Sequence, residues 1–323
     1  MQRALHFLLA LLTVAALLAP CSSIRAATQP LQVLASTFPI YQITRNVIRG
    51  VEGIALDLMI PAALGCPHDY LLTPQDMRKL ATSDLLIING LGLEEFIGAP
   101  LKKANPRLRV IDSSQGITEI IYQQEDDHGH HEHGDAHAHH GHKDERAHTA
   151  GPNPHLFASP RMAAQLTTAI ARALAEALPA AAPALLANGQ AYSQQLLHLS
   201  EQMAEKGKEL ANNRIVTQHG VFDYLARDMG LEVVAVVQAH AGQNPSAAEI
   251  LALVDTIKAH KAGAIFTEPQ YPEAIGRTIA RDAGIVAARL DPAANGPDQA
   301  PLDYYEQVMR SNLTILEQTL GRR

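Results

Sequence analysis

The chain has 323 residues, 47% of them apolar and 18% charged, with a formal net charge of -7. That length can supply two modest domains, each burying its own core. An acidic balance gives no electrostatic support to nucleic-acid binding.

Residues 1–26 read as an export signal. Arg3 supplies the positive start, and residues 4–18 form a 15-residue apolar run interrupted by His6. A transmembrane helix needs about 20 apolar residues, whereas this length suits the hydrophobic part of a signal peptide. Ile24-Arg25-Ala26 offers a small residue at the cut, which predicts a periplasmic protein starting near Ala27. The alternative is a lipoprotein anchored through Cys21, although Pro20 stiffens the bond to be cut. Removing the signal takes away Arg3 and Arg25 and no acid, so 26 basic residues become 24 against 33 acidic ones, or -9. The only cysteines are Cys21 and Cys66, so a Cys21 that is cleaved off or lipidated leaves no internal disulfide. No later segment is apolar enough to span a bilayer, which predicts a soluble or tethered body.

After the signal, β-type runs alternate with helical patterns. Residues 32–36, 54–60, 85–89 and 109–112 read as strands, with helices at 40–48, 74–81 and 94–104. A second series places strands at 214–218, 232–237, 264–266 and 285–290, with helices at 221–229, 246–260, 272–282 and 302–320. This spacing predicts an α/β fold of parallel βαβ units. Helix starts are marked by Thr73-Pro74-Gln75-Asp76, Ser159-Pro160 and the capping box Ser246-Ala247-Ala248-Glu249. Residues 184–211 can run as one long helix, with Gly189 and Gly207 as weak points and Asn212-Asn213 as its end. The predicted organisation is therefore an N-terminal α/β lobe (27–183), a linking helix (184–211) and a C-terminal α/β lobe (212–323). A strand, a His-bearing loop and a capped helix recur around His68 and His240, a faint echo between the lobes.

Residues 125–149 break the pattern with nine histidines: His128, His130, His131, His133, His137, His139, His140, His142 and His148. With almost no large apolar side chain, the stretch cannot offset the entropy of ordering and should be a flexible loop. So dense a run reads as a metal collector with several weak sites; the bland alternative is a solvated spacer. Imidazoles bind metal only when neutral, so its affinity should fall as pH drops toward about 6.

Four other residues are candidate metal ligands. His68 lies in the loop after the strand at 54–60, and His155 precedes the helix capped by Ser159. His219 directly follows the strand at 214–218, and Asp291 the strand at 285–290. In open α/β sheets, loops beyond the carboxyl ends of strands face the ligand crevice. Three imidazoles and a carboxylate can close a tetrahedral zinc sphere. Pro67, Pro154 and Pro292 stiffen three of these loops. His198 and His260 fall on helical faces and read as surface residues.

Over residues 31–320 the chain resembles the cluster A-I solute-binding proteins of bacterial zinc and manganese ABC transporters. Pro67-His68-Asp69-Tyr70 with Thr73-Pro74-Gln75-Asp76 is similar to the first-ligand motif of that family. Asn153-Pro154-His155-Leu156-Phe157 is similar to the second, where Asp often replaces Asn. His219-Gly220-Val221-Phe222-Asp223-Tyr224-Leu225 is similar to the third. Phe266-Thr267-Glu268-Pro269-Gln270 and Leu290-Asp291-Pro292 resemble the C-lobe strands, the latter with the usual fourth ligand. The resemblance implies two lobes, a rigid linking helix, a metal site in the interlobe cleft, and a monomer delivering its ion to an ABC permease and its ATPase. Manganese members tend to carry Glu where His219 stands, and imidazole suits zinc, so Zn2+ is expected over Mn2+.

Cys66 departs from the family pattern; its thiolate could ligate zinc, or it could be a small buried residue. Glu268 and His240 are reserve ligands, Glu268 being placed to hold a ligand imidazole by its other ring nitrogen. Two rival functions stand beside transport. A zinc hydrolase would need an open coordination position and a general base, and Glu268 is the only candidate base. A metal buffer or adhesin would use the same site without a transporter.

Overall fold

The computed structural model describes residues 29–65, 67, 70–122, 151–238 and 244–321. Cys66, His68, His240, the nine histidines of 125–149 and the export signal lie outside the described residues. The described residues from Leu31 onward form one compact unit.

Both α/β series fold into parallel sheets. The first comprises β1 (Leu31–Ala35), α1 (Phe38–Val47), β2 (Ile54–Leu58), α2 (Pro74–Thr82), β3 (Leu85–Ile88), α3 (Gly98–Ala104) and β4 (Arg109–Asp112). Two helices follow, α4 (Pro160–Ala177) and α5 (Ala182–Glu209). The second series is β5 (Arg214–Thr217), α6 (Asp223–Met229), β6 (Glu232–Val236), α7 (Ala247–His260), β7 (Ala264–Thr267), α8 (Ala274–Ala283), β8 (Val286–Arg289) and α9 (Tyr304–Leu320). The strand orders are β2-β1-β3-β4 and β6-β5-β7-β8, so the two lobes share one topology. In each, successive connections leave the inner strand pair in opposite directions. The ligand crevice of such a sheet lies at that reversal, beyond the carboxyl ends of β1 and β3 and of β5 and β7. Central strands β3 (LLII) and β7 (AIFT) are almost wholly buried, as apolar runs covered on both faces must be.

Local chemistry explains the helix starts. Thr73 and Ser246 each close a reciprocal capping box, with Asp76 and Glu249 respectively, and the Ser159 hydroxyl accepts from the Met162 amide. Gly230 ends α6 in the left-handed region, at φ 73°, which a side chain would disfavour.

The long helix α5 has 28 residues, about 42 Å at 1.5 Å per residue. It begins two residues before the expected start, because Pro183 sits in its first turn, where a missing amide hydrogen costs nothing. Gly189 and Gly207 are not its weak points. Both are buried, and a Cβ on Gly189 would overlap Ala171 of α4, while one on Gly207 would overlap the Met229 carbonyl oxygen at the end of α6. The missing side chains let α5 lie close against both neighbours. The largest buried apolar cluster runs from Val33 and Ile87 of the first lobe through Leu166, Leu196 and Met203 of α4 and α5 to Phe222, Phe266 and Leu316 of the second.

Candidate metal centre

Sheet register sets the first part of the site. In the β5–β7 ladder Thr217 pairs with Phe266; continuing it two residues brings His219 opposite Glu268. Both side chains are buried, Glu268 completely, and His219 Nδ1 lies 2.5 Å from Glu268 Oε1. Glu268 Oε2 accepts from Gln270 Nε2 at 2.6 Å. Burial pushes the Glu268 carboxyl above its ordinary value, and the His219 hydrogen bond pulls it part of the way back. A buried carboxylate on Nδ1 makes that nitrogen the donor and leaves the ring lone pair on Nε2.

His155 is held the same way by a different acceptor. It is 2% exposed, and its Nδ1 lies 2.8 Å from Asn153 Oδ1. The loop is pinned to the first sheet by Asn89, just beyond β3, whose Nδ2 donates to the Pro154 carbonyl at 2.8 Å. The His155 and His219 rings have centres 5.0 Å apart and planes inclined by 80°. Two imidazoles bound through Nε2 to one tetrahedral zinc, with Zn–N near 2.1 Å, would have centres roughly 5.2 Å apart. The pair fits that requirement, and the Tyr271 ring stands 5.7 Å from His219.

Asp291 follows β8, and burial raises its carboxyl above the ordinary value. Its Oδ1 accepts from the Ala293 amide at 2.8 Å, and Asn312 bonds both its backbone N and O. Among the described residues no group of three or more His, Cys, Asp and Glu is placed to hold a metal ion; the Asp291 charge adds to the burial that raises the Glu268 carboxyl. The flanks of His68 are nevertheless anchored. Tyr70 donates to Asp76 Oδ2 at 2.8 Å and stacks edge-on against Phe96. Three residues upstream of His68, a Cβ on Gly65 would touch Gln270 at 3.5 Å, so the chain at Gly65 passes beside the partner of Glu268. His198 and His260 are exposed, as expected of helix-surface residues.

Asn153 and Gln270 stand inside motifs, but a positioning role for them, or for Asn89, is not legible there. Asn89, Asn153 and Gln270 act through partners, two of them more than 60 residues away. Glu94 is another: its carboxylate accepts from the Ser36 hydroxyl and from the Asn89 and Gly90 amides, bracing the ends of β1 and β3. Burial outweighs these bonds and raises Glu94 from an ordinary 4.5 to about 7. A carboxyl raised on folding stabilises fully below its unfolded value, and that contribution is lost as pH rises through its folded value. Chemical denaturation of the metal-free protein should therefore show Glu94→Gln gaining relative stability from pH 4.5 to pH 7, by up to about 3 kcal/mol. A pH-independent difference would refute the assignment.

Known proteins place this geometry in context. Residues 33–319 match the family described as ZnuA, zinc-uptake complex component A, periplasmic. The zinc-binding lipoprotein AdcA of Streptococcus pneumoniae is 27% identical over 304 residues, 94% of this chain and 58% of AdcA, so the chain spans little more than half that relative. The high-affinity zinc uptake system protein ZnuA of Bacillus subtilis is also 27% identical, over 90% of this chain and 88% of its own. Among solved structures, the nickel complex of the SBP FpvC from Pseudomonas aeruginosa aligns with a TM-score of 0.75 and 26% identity, covering 91% of this chain and 99% of FpvC. A crystal structure of ZnuA shares the fold at a TM-score of 0.72 and 24% identity, over 90% of this chain and all of that one. With a match reaching across nearly the whole body, this chain belongs to the ZnuA family of periplasmic zinc-uptake components.

Proposed function

We propose that the protein captures Zn2+ outside the cytoplasmic membrane and delivers it, as a monomer, to an ABC permease with its ATPase. His155 and His219 bind the ion through Nε2, and His68 and Asp291 complete the sphere. One observation carries this reading: two buried imidazoles face each other at 5.0 Å, each with Nδ1 committed to an oxygen acceptor. That is the arrangement a nitrogen pair needs before a borderline-soft cation arrives. Membership of a zinc-uptake family and the zinc-binding names of its relatives support zinc as cargo. The organisation that serves this role is an N-terminal lobe (27–183), a linking helix near 184–211 and a C-terminal lobe (212–323). Export follows from the signal at 1–26, with cleavage near Ala27 or lipid attachment at Cys21 as alternative ends of the same route.

The histidines of 125–149 serve as auxiliary, weaker sites. Titration calorimetry on a protein lacking residues 125–149 should show a lower zinc stoichiometry with one tight site retained. If no tight site survives, the ligand assignment is wrong. Zinc-limited growth of a deletion strain separates transport from buffering, because loss of a buffer leaves the uptake rate unchanged.

A further inference from the structure

We propose that Asn153 and Asp223 form a positioning pair for His155, one that also ties the His155 loop to the peptide following His219. The inference rests on the reading of His155 and His219 as zinc ligands, and adds two residues that touch no metal.

The polarity of the Asn153 amide is set by its partners. Asn153 Nδ2 lies 2.7 Å from the Gly220 carbonyl oxygen, which can only accept, and 2.9 Å from Asp223 Oδ2. The opposite end of the amide, Oδ1, therefore faces His155, where it accepts from the backbone amide at 3.0 Å and from ring Nδ1 at 2.8 Å. An oxygen there requires hydrogen on Nδ1 and leaves Nε2 with the lone pair. The main chain of Asn153 is tied down as well. Its amide donates to the Ile121 carbonyl at 2.7 Å, and its carbonyl accepts from the Tyr224 hydroxyl at 2.8 Å. Asn153 is fully buried, so no water relieves a wrong donor or acceptor.

Three of these contacts, to Gly220, Asp223 and Tyr224, come from the turn and helix that begin immediately after His219. One amide thus fixes the tautomer of the first imidazole and its position relative to the second. The arrangement also specifies amide over acid at position 153. A carboxylate there would present oxygen to the Gly220 carbonyl and to the Asp223 carboxylate, replacing two donated hydrogen bonds with two repulsions.

The test compares the full chain with Asn153→Asp, Asp223→Asn, the double variant N153D/D223N and Asn153→Ala. Zinc affinity is read at neutral pH by competition with a chromophoric chelator, and metal-free stability by thermal denaturation. Asn153→Asp should weaken the tight site by about 10- to 100-fold, the range for losing an outer partner of a ligand imidazole. Adding Asp223→Asn should restore at least half of that loss on a logarithmic scale, because the new amide can donate to the new carboxylate. Asp223→Asn alone should weaken the site, but less than Asn153→Asp does, because its amide oxygen still accepts from Asn153. In Asn153→Ala, long-range nitrogen NMR of His155 should show loss of the Nδ1–H tautomer, which a packing defect elsewhere would not cause. Parent-like affinity of Asn153→Asp, or a double variant no better than it, overturns the proposal. Should Asn153→Asp fail to fold, a folded double variant with near-parent affinity upholds it and a folded but weak one overturns it. A parent without a tight site fails the underlying ligand assignment instead.

Discussion

Replacing His219 with alanine is expected to weaken tight zinc binding by about 100- to 1,000-fold. Apparent zinc binding energies of about 10–16 kcal/mol spread over four ligands give roughly 2.5–4 kcal/mol for each, which converts to that range. His219 has two roles in this site. On the proposed ligand assignment it supplies a nitrogen to the ion, and its ring Nδ1 lies 2.5 Å from the buried Glu268 carboxylate. Its loss leaves the buried Glu268 carboxyl with the Gln270 amide but without its imidazole partner, so the variant should also lose stability. His155→Ala should weaken binding over the same range with a smaller stability loss, since its acceptor is the neutral Asn153 amide. Competition titrations on the protein lacking residues 125–149 isolate the tight site, and circular dichroism reports whether each variant is folded. A folded His219→Ala protein with undiminished affinity would remove this histidine from the site.

Gly207→Ala is expected to destabilise the fold although alanine is the better helix former. The exchange gains about 1 kcal/mol of helix propensity. Against it, the added methyl collides with the Met229 carbonyl oxygen, a backbone atom held by the end of α6. Such overpacking costs typically 1–3 kcal/mol, and a backbone neighbour that cannot swing aside puts this site at the upper end. The net loss should be about 1–2 kcal/mol, a fall in Tm of several degrees, read by calorimetry on the metal-free protein. An unchanged or higher Tm would show that α5 and α6 can separate slightly at no cost.

Much of the architecture could be read from short-range chemistry. Thr73 with Asp76 and Ser246 with Glu249 are capping boxes three residues apart, and both helices start there. Gly230 ends a helix at the expected position. The polar scaffold around the histidines is different in kind. Asn89 reaches Pro154 across 65 positions, and Asn153 reaches Asp223 across 70. An asparagine in a loop carries no local mark of such a partner. Glu268 lies between these cases: a contact with the second ring nitrogen of a histidine is expected from sequence, and the pairing of β5 and β7 in register identifies that histidine as His219. Gly189 and Gly207 were misread because a glycine in a helical pattern looks like a defect until the neighbouring backbone is in view. Asp291 stands just beyond β8, where strand-end reasoning places a ligand.

The unbroken apolar cluster that threads both sheets and α5 has a mechanical meaning. Prising the halves apart would wet side chains such as Leu196, Met203 and Phe222, each of which costs about 1.5–3 kcal/mol to expose fully. The molecule is therefore stiff against rotation of one half on the other.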